Sequence, residues 1–422
     1  MRRSVVVYVL VPALLVGAGS PGLAQDEAVL TLDQALAEAV ARNPVLAVER
    51  NEVDIAAGAL QQARVFPFNP ELEIEGSIGR GRSRESDERR GTDGKGIGLS
   101  QTIPLRGQWG LRIQAAEAGL GRATHLVQDA ERNVVGDVLR AFSEVGVGQQ
   151  RVALAREIVA LATEVRGTAE KLLEAGAVPQ LDVFRAEVEL GKAQNRLITE
   201  ERNLATAQRD LALLLGRPSD RPLRAEAPVT LPLPAADLPA LQRLALERRP
   251  DLLAVRAAAQ AAEAELALAR AERFLPEVKL GLKYDEGREF DSLNRRGLLT
   301  LSIPLPVFNR RQGDVARATA EVKKQEAGIA LARRRIEKEV TTAYQQVLAS
   351  RRITEAYSAR ILPDQERNFR LLREGYDLGQ FSITDVFVGQ REFIEAREAY
   401  LEAMATLNTA AAELYRTAGG RP

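Results

Sequence analysis

The side chains that usually carry out covalent catalysis or hold transition metals are scarce in this chain. His125 is the single histidine, Met1 and Met404 are the only methionines, and cysteine is absent. No His, Cys or Met cluster can be assembled for a metal ion, no nucleophile–base pair is recognisable, and no cofactor is expected. Gly79-Arg80-Gly81 and Gly94-Lys95-Gly96 lack the strand-to-helix setting of a phosphate-binding loop and read as loop glycines. What recurs at fixed spacing is a carboxylate. Gly176 precedes Asp182-Val183-Phe184, and Gly379 precedes Asp385-Val386-Phe387 at the same distance. A glycine that ends one helix and an aspartate that caps the start of the next would give this pattern.

These two segments belong to a longer duplication. Asn43-Pro44 through Pro70-Glu71 aligns without a gap on Arg249-Pro250 through Pro276-Glu277, and Ile103-Pro104-Leu105 matches Ile303-Pro304-Leu305. The chain therefore reads as two copies of one unit related by pseudo-symmetry. The first repeat spans 25–216 and the second 240–422. The connector at 217–239 is rich in proline (Pro218, Pro222, Pro228, Pro232, Pro234, Pro239) and is expected to be extended, without helix. Residues 1–24 read as a signal peptide: Arg2-Arg3, an apolar Val5–Val16 core, and a small-x-small site at Gly22-Leu23-Ala24. The chain has 422 residues, with 58 basic and 58 acidic side chains and a net charge of zero, which offers no basic footprint for nucleic acid. Without cysteine, lipidation at an N-terminal cysteine and disulfides are both excluded.

Within each repeat the apolar period predicts helix, then hairpin, then helices again. Thr31 is placed to cap a short helix, and Pro44 to start the next. A hairpin is predicted at about 71–104, with Leu72, Ile74, Ile97 and Leu99 on one face and Glu71, Glu73 and Glu75 on the other. A second is predicted at about 277–305, with Val278, Leu280, Leu282, Leu299 and Leu301 alternating with Lys279, Lys283 and Thr300. The polar run Arg80–Lys95, which has no apolar residue, and the mostly polar Glu286–Arg296 are expected to be loops. Long helical stretches follow, at about 107–175 and 312–378, with only Pro363 as a breaker in the second. The last helix of each repeat carries a large residue every seventh position: Val183, Leu190, Leu197, Leu204 and Leu211, then Val386, Phe393, Tyr400, Leu407 and Leu414. Small residues such as Ala186, Ala193, Gly389 and Ala396 sit three positions on, a pattern for close helix packing in a left-handed supercoil. Phe66, Phe68, Trp109, Phe274 and Phe308 fall near strand–helix junctions, where aromatic side chains either mark a membrane interface or fill a core.

Two-faced strands in an exported chain fit either a soluble sheet on helices or a share of a membrane barrel. Four strands cannot close a barrel, because single-chain barrels begin at about eight, so the barrel reading demands an oligomer.

The segments Leu30-Thr31-Leu32-Asp33-Gln34-Ala35-Leu36, Ala41-Arg42-Asn43-Pro44 and Asn69-Pro70-Glu71-Leu72 resemble the opening pattern of the outer-membrane efflux protein family, the TolC-like channels. They most resemble its heavy-metal exporter (CzcC-like) branch. The resemblance implies a mainly α fold with a small β part. It implies an internally duplicated long-helix α-barrel forming a periplasmic tunnel, and four strands per chain contributing to a trimeric twelve-stranded transmembrane β-barrel in outer-membrane lipid. It implies a passive duct, not an enzyme. The implied partners are two further copies of the chain, a periplasmic adaptor (membrane fusion) protein and a proton-driven inner-membrane pump, and the implied cargo includes heavy-metal cations. An outer-membrane duct for one-step protein secretion, or a periplasmic coiled-coil scaffold without a barrel, are the alternative functions. By the same resemblance Gly176–Asp182 and Gly379–Asp385, with Leu172, Leu173, Leu371 and Leu372, would form adaptor-contact tips. Asp385 would be a periplasmic gate: carboxylates gathered near a symmetry axis repel one another and attract cations. The family's second acid falls here on Val388, so a double acidic ring is not expected. Helix capping is the competing role for Asp182 and Asp385.

Overall fold

The helices begin where the sequence supplies caps. In the computed structural model, which describes residues 29–82, 89–218, 223–226, 230–273, 277–289, 292–378 and 380–419, Thr31 forms a capping box with Gln34 at the start of α1 (Leu32–Arg42). Asn43 then caps α2 (Pro44–Arg64), accepting a hydrogen bond from Val45 N. The chain continues through β2 (Glu71–Arg82), β3 (Arg89–Pro104), the 67-residue α3 (Gln108–Glu174) and α4 (Gln180–Leu214). The second repeat runs α5 (Leu238–Arg248), α6 (Pro250–Ala271), β5 (Glu277–Glu289), β6 (Ser292–Ser302), α7 (Gln312–Ala356), α8 (Leu362–Asp377) and α9 (Ile383–Ala418). The expected signal peptide, Phe274 and Gly379 lie outside the described residues. Among those described, no helix is long and apolar enough to cross a membrane.

Three layers follow from these contacts. The strands form one antiparallel sheet in the order β2-β3-β5-β6. Next to it the helices lie side by side in the order α2-α3-α6-α7, and farther away in the order α4-α3-α9, with α7 and α8 against α9. At a rise of 1.5 Å per residue α3 spans about 100 Å, long enough to run through both helical layers. The shorter α2 and α4 stack end to end beside it.

The stacking points are the two residues that precede the helix-starting prolines. Asn43 is buried, and its Nδ2 donates to the carbonyl of Leu214 at the end of α4 at 2.8 Å. Arg249 is equally buried. Its Nη1 donates to Thr417 O at the end of α9 (3.4 Å) and to Glu339 Oε2 (2.7 Å), and its Nε and Nη2 make a two-pronged contact with Asp251. Each residue thus satisfies an orphan carbonyl at the end of a helix from the same repeat. The core collects around these clasps: Leu46, Val138, Phe142 and Leu211 in the first repeat, and Leu252, Ile336, Val340 and Leu414 in the second. Val135, Leu139, Ala411, Ala412 and Tyr415 join the two. In α4 and α9 the small seam residues Ala186, Ala193, Gly389 and Ala396 are buried, as are the large Leu211, Val386 and Leu414, while Leu190, Leu197, Phe393 and Tyr400 are half-buried. Small side chains there let the neighbouring helix come close.

Several expectations are corrected. The polar runs are not wholly loops: strands extend to Arg82 and resume at Arg89, and extend to Glu289 and resume at Ser292. Backbone pairing continues through them (Gly76 with Lys95, Glu286 with Arg295) because polar side chains are compatible with a strand that faces water. Gly79-Arg80-Gly81 and Gly94-Lys95-Gly96 are strand residues, not loop glycines. The second long helical stretch is interrupted. A π-helical turn at Tyr357–Ile361 absorbs the hydrogen bond that Pro363 cannot donate. The connector includes an extended segment, Arg224–Ala225, which pairs in parallel with Val29–Leu30 as β4 with β1, but it is not wholly without helix: Pro239 sits in the first turn of α5, where its missing N–H is harmless.

Burial by itself would raise the Asp251 carboxyl, but hydrogen bonding and charge from Arg249, with Arg132 beyond, hold it below its ordinary value. A depressed folded-state pKa stabilises above the unfolded value and loses that contribution as pH falls, here below about pH 4. Arg249→Met leaves Asp251 and Glu339 without their cation and should cost about 3–5 kcal/mol. Asn43→Ala should cost about 1–2 kcal/mol. Thermal melts of the detergent-extracted protein should rank the two variants in that order, and Arg249→Met should flatten the acid limb of stability below about pH 4.

Candidate functional site

The sheet separates its side chains by chemistry, strand after strand. Pairing aligns Leu72, Leu99, Leu282 and Leu299 in one row across all four strands. Ile74, Ile97 and Tyr284 form the next row, and Leu280 and Leu301 the row on the other side. These side chains share one face and most stand open, Ile74 at 77% and Leu299 at 81% exposure, while Val278 is partly covered. The opposite face is charged. Lys279 Nζ lies 2.6 Å from Glu71 Oε2 and 3.5 Å from Glu73 Oε1, and Lys283 Nζ lies 2.6 Å from Glu75 Oε2 and 3.4 Å from Asp285 Oδ1. An apolar outer band over a polar inner face is the arrangement of a transmembrane barrel wall. Among the described residues both outer strands, β2 and β6, have one edge without a partner strand.

Where the sheet meets the helices, the two repeats use different chemistry. In the first, Phe66 and Trp109 meet edge to face at 5.8 Å, and Trp109 Nε1 donates to Ala63 O at 2.8 Å. Phe68 is half-buried and its carbonyl accepts from Gln101 Nε2. In the second, Glu272 accepts from Arg112 of α3 (3.0 Å) and from Arg311 at the start of α7. Arg311 adopts a left-handed backbone conformation (φ 52°), unusual for a side chain with Cβ. Phe308, beyond the end of β6, is 92% exposed.

The far ends of the helices hold the recurring aspartates. The α3–α4 turn closes on Gly176, whose φ of 70° suits glycine. Gly176 N donates to Leu173 O and Ala177 N to Leu172 O, the paired bonds of a Schellman motif. Leu172 and Leu173 are half-buried. The α8–α9 turn closes differently: Gln380 N donates to Gly375 O at 2.7 Å, and the Phe381 ring lies where a side chain at 375 would stand. Leu371 is exposed, whereas Leu372 packs onto Gly389, leaving no room for a Cβ there. The capping reading is corrected for Asp182, whereas Asp385 takes part in the cap of α9 as the reciprocal member of a capping box. Neither is the cap residue; both lie in the first helical turn. Pro179 precedes α4 without a side-chain bond, and Asp182 approaches Arg185 at 3.4 Å. Ser382 caps α9 through its Oγ, which accepts from Asp385 N at 3.2 Å. Asp385 answers through Oδ2, which accepts from Ser382 N (2.9 Å) and Ser382 Oγ (2.6 Å). These two bonds, side chain first, hold the Asp385 carboxyl below its ordinary value. The residue stays exposed and ionised, with Val388 open beside it.

The sequence reading did not single out Ser382, although Ser-x-x-Asp before an apolar run is a visible box signal. It also missed the exposed apolar strip Leu181, Phe184 and Val188 at the free end of α4. His125 lies half-buried on α3 beside Gln128, and no group of three His, Cys, Asp or Glu able to hold a metal occurs among the described residues.

Comparisons with known proteins agree with this geometry. Residues 35–217 and 241–420 match the family model described as Outer membrane efflux protein, so the two matches fall on the two repeats. The chain is 30% identical to the cobalt-zinc-cadmium resistance protein CzcC of Cupriavidus metallidurans, over 92% of this chain and 90% of that one. Its fold superposes on a crystal structure of CusC with a TM-score of 0.76 at 18% identity, covering 96% and 95% of the two chains. It superposes on the outer membrane protein VceC of Vibrio cholerae with a TM-score of 0.75 at 19% identity, covering 92% and 96%.

Removing the capping hydroxyl by Ser382→Ala should weaken the first turn of α9 by about 1 kcal/mol. Amide hydrogen exchange of that turn should then speed by about fivefold, while exchange at the α3–α4 turn stays unchanged.

Proposed function

The chain belongs to the outer membrane efflux protein family and is an outer-membrane efflux channel, and from that premise we propose that three copies close into one duct that receives cargo from a periplasmic adaptor and an energised inner-membrane pump. The observation that carries the reading is that every layer ends on the same two sides. The sheet ends at β2 and β6, the near helical layer at α2 and α7, and the far layer at α4 and α8. The elements β2, α2 and α4 make one open flank, and β6, α7 and α8 the other.

Lipid forbids an unpaired strand edge, so β2 of one copy must meet β6 of the next. Such a head-to-tail contact repeats until the rotation closes, and three copies give twelve strands. The helical flanks carry apolar side chains suited to the same contact: Val45, Val48 and Ile55 on α2, Leu331 and Ile353 on α7. With the charged face of the sheet inward, the closed barrel is wet inside and apolar outside.

The α3–α4 and α8–α9 turns are the adaptor-facing tips, with Leu181, Phe184, Leu371, Leu378 and Phe381 as the open apolar surface there. Asp385 is the periplasmic gate candidate. Its cap uses Oδ2, and its exposure leaves the charge available to a narrow passage, so capping and gating are compatible. Heavy-metal cations are the proposed cargo class, supported by the resemblance to CzcC, whose name states cobalt, zinc and cadmium resistance. The duct itself supplies passage; selection of the metal belongs to the adaptor and pump.

The mature protein in a planar bilayer should show discrete conducting steps, with a detergent-corrected mass of three chains. A non-conducting soluble monomer would refute the duct. Leu280→Arg places a charge on the outer band at a cost of about 2–4 kcal/mol near mid-membrane and should abolish assembly in the outer membrane. Asp385→Ala should raise single-channel conductance and weaken block by multivalent cations; if neither changes, Asp385 is a capping residue alone.

A further inference from the structure

The charged face of the sheet contains an ion pair between strands that are not neighbours. Glu75 is on β2 and Lys283 on β5, with β3 between them. Adjacent strands lie about 4.8 Å apart, so the pair spans two strand spacings and must pass over β3. It can do so because β3 presents Gly94, Gly96 and Gly98 at alternate positions on that face. The register sets Gly98 between Glu73 and Lys283, and Gly96 between Glu75 and Asp285. A Cβ at Gly96 would stand 2.5 Å from Asp285 Oδ1 and 3.2 Å from Lys283 Cε. A Cβ at Gly98 would stand 3.4 Å from Lys283 Cγ and 3.7 Å from Glu73 Cβ. The stem and head of Lys283 thus occupy the room that side chains at 96 and 98 would take. The result is a groove of about 710 Å³ along the glycines, walled by Glu75, Lys283, Asp285 and Arg296.

We propose that this glycine stripe is a charge-selectivity element of the passage, favouring cations. It lets the Lys283 ammonium lie flat against the wall between Glu75 and Asp285 instead of projecting into the bore, where it would repel a passing cation. Lys279 is held in the same manner by Glu71 and Glu73. Even with Arg296 on β6 opposite Asp285, these four acids outnumber the bases that face them. A wet lumen whose positive charges are tied down and whose acids are in excess concentrates cations along its length. The inference rests on the duct reading and adds a second selectivity element, inside the membrane barrel and far along the chain from Asp385.

The test is the reversal potential of single channels in a potassium chloride gradient, which reads the cation-to-anion permeability ratio. Wild type should prefer cations. Gly96→Leu with Gly98→Leu fills the groove, frees Lys283 into the bore, and should lower the ratio by about twofold or more. Adding Lys283→Gln to that variant should return the ratio to the wild-type value or above, even if the added bulk keeps conductance low. An unchanged ratio in the leucine variant, or a fall of the same size with and without Lys283, overturns the proposal. Should the leucine variant fail to assemble, two milder changes decide: Lys283→Gln should raise the ratio and Glu75→Gln should lower it, and no shift in either overturns it. A wild-type protein that inserts no conducting channel refutes the duct itself, an outcome distinct from a channel whose selectivity ignores these residues.

Discussion

A strand edge in lipid has no water to satisfy its N–H and C=O groups, and each one left unpaired costs several kcal/mol. Among the described residues the sheet stops after four strands, at β2 and β6, and in the proposed duct the edges of neighbouring copies satisfy one another. The helices inherit that constraint. Each helical layer has open flanks that continue the open edges of the sheet, as a closed ring of strands requires of whatever is built beneath it. The end-to-end stacking of α2 on α4 and of α6 on α9 keeps both layers in step along the single helix α3.

That stacking depends on two buried clasps, and they show what duplication preserved. Asn43 and Arg249 hold equivalent places and perform the same act, donating to the last carbonyls of α4 and α9. One does it with a neutral amide, the other with a guanidinium balanced by Asp251 and Glu339. The pattern of same place and different chemistry recurs at the sheet junctions, where the Phe66–Trp109 contact answers to the Glu272 pairs with Arg112 and Arg311. It recurs at the far turns, where Gly176 ends one helix through its backbone and the Phe381 ring packs on Gly375 to close the other. What the pseudo-symmetry conserves is the need to satisfy helix ends and junctions, more than the residues that do so.

The charges divide into two kinds of work. Between the repeats, Arg151 with Glu402, Arg397 with Glu157 and Arg373 with Glu164 fasten α3 to α9 and α8 along exposed faces; such pairs give register more than stability. In the proposed duct the charged face of the sheet and Asp385 face a space that ions could cross. In the proposed duct this second set acts on the cargo, by attraction and exclusion.

Much of this was legible in the sequence because it is periodic. The duplication, the two-faced strands through Leu72, Leu99, Leu282 and Leu299, and the seven-residue seams of α4 and α9 are local patterns. Each is set by side-chain alternation against water, lipid or a neighbouring helix. The same locality misled at the polar runs, which read as loops until cross-strand pairing showed that backbone hydrogen bonds continue through charged residues. It misled at Asp182 as well, where the helix starts three residues earlier than a capping aspartate would place it. Tertiary structure alone decided the rest. That Asn43 and Arg249 clasp distant helix ends, that Pro363 is answered by a π-helical turn, and that glycines on β3 let Lys283 reach Glu75 all depend on which segments meet. The physical reason is that a hydrogen bond or ion pair between residues far apart in the chain leaves no periodic trace: its partners are chosen by the space that packing leaves open.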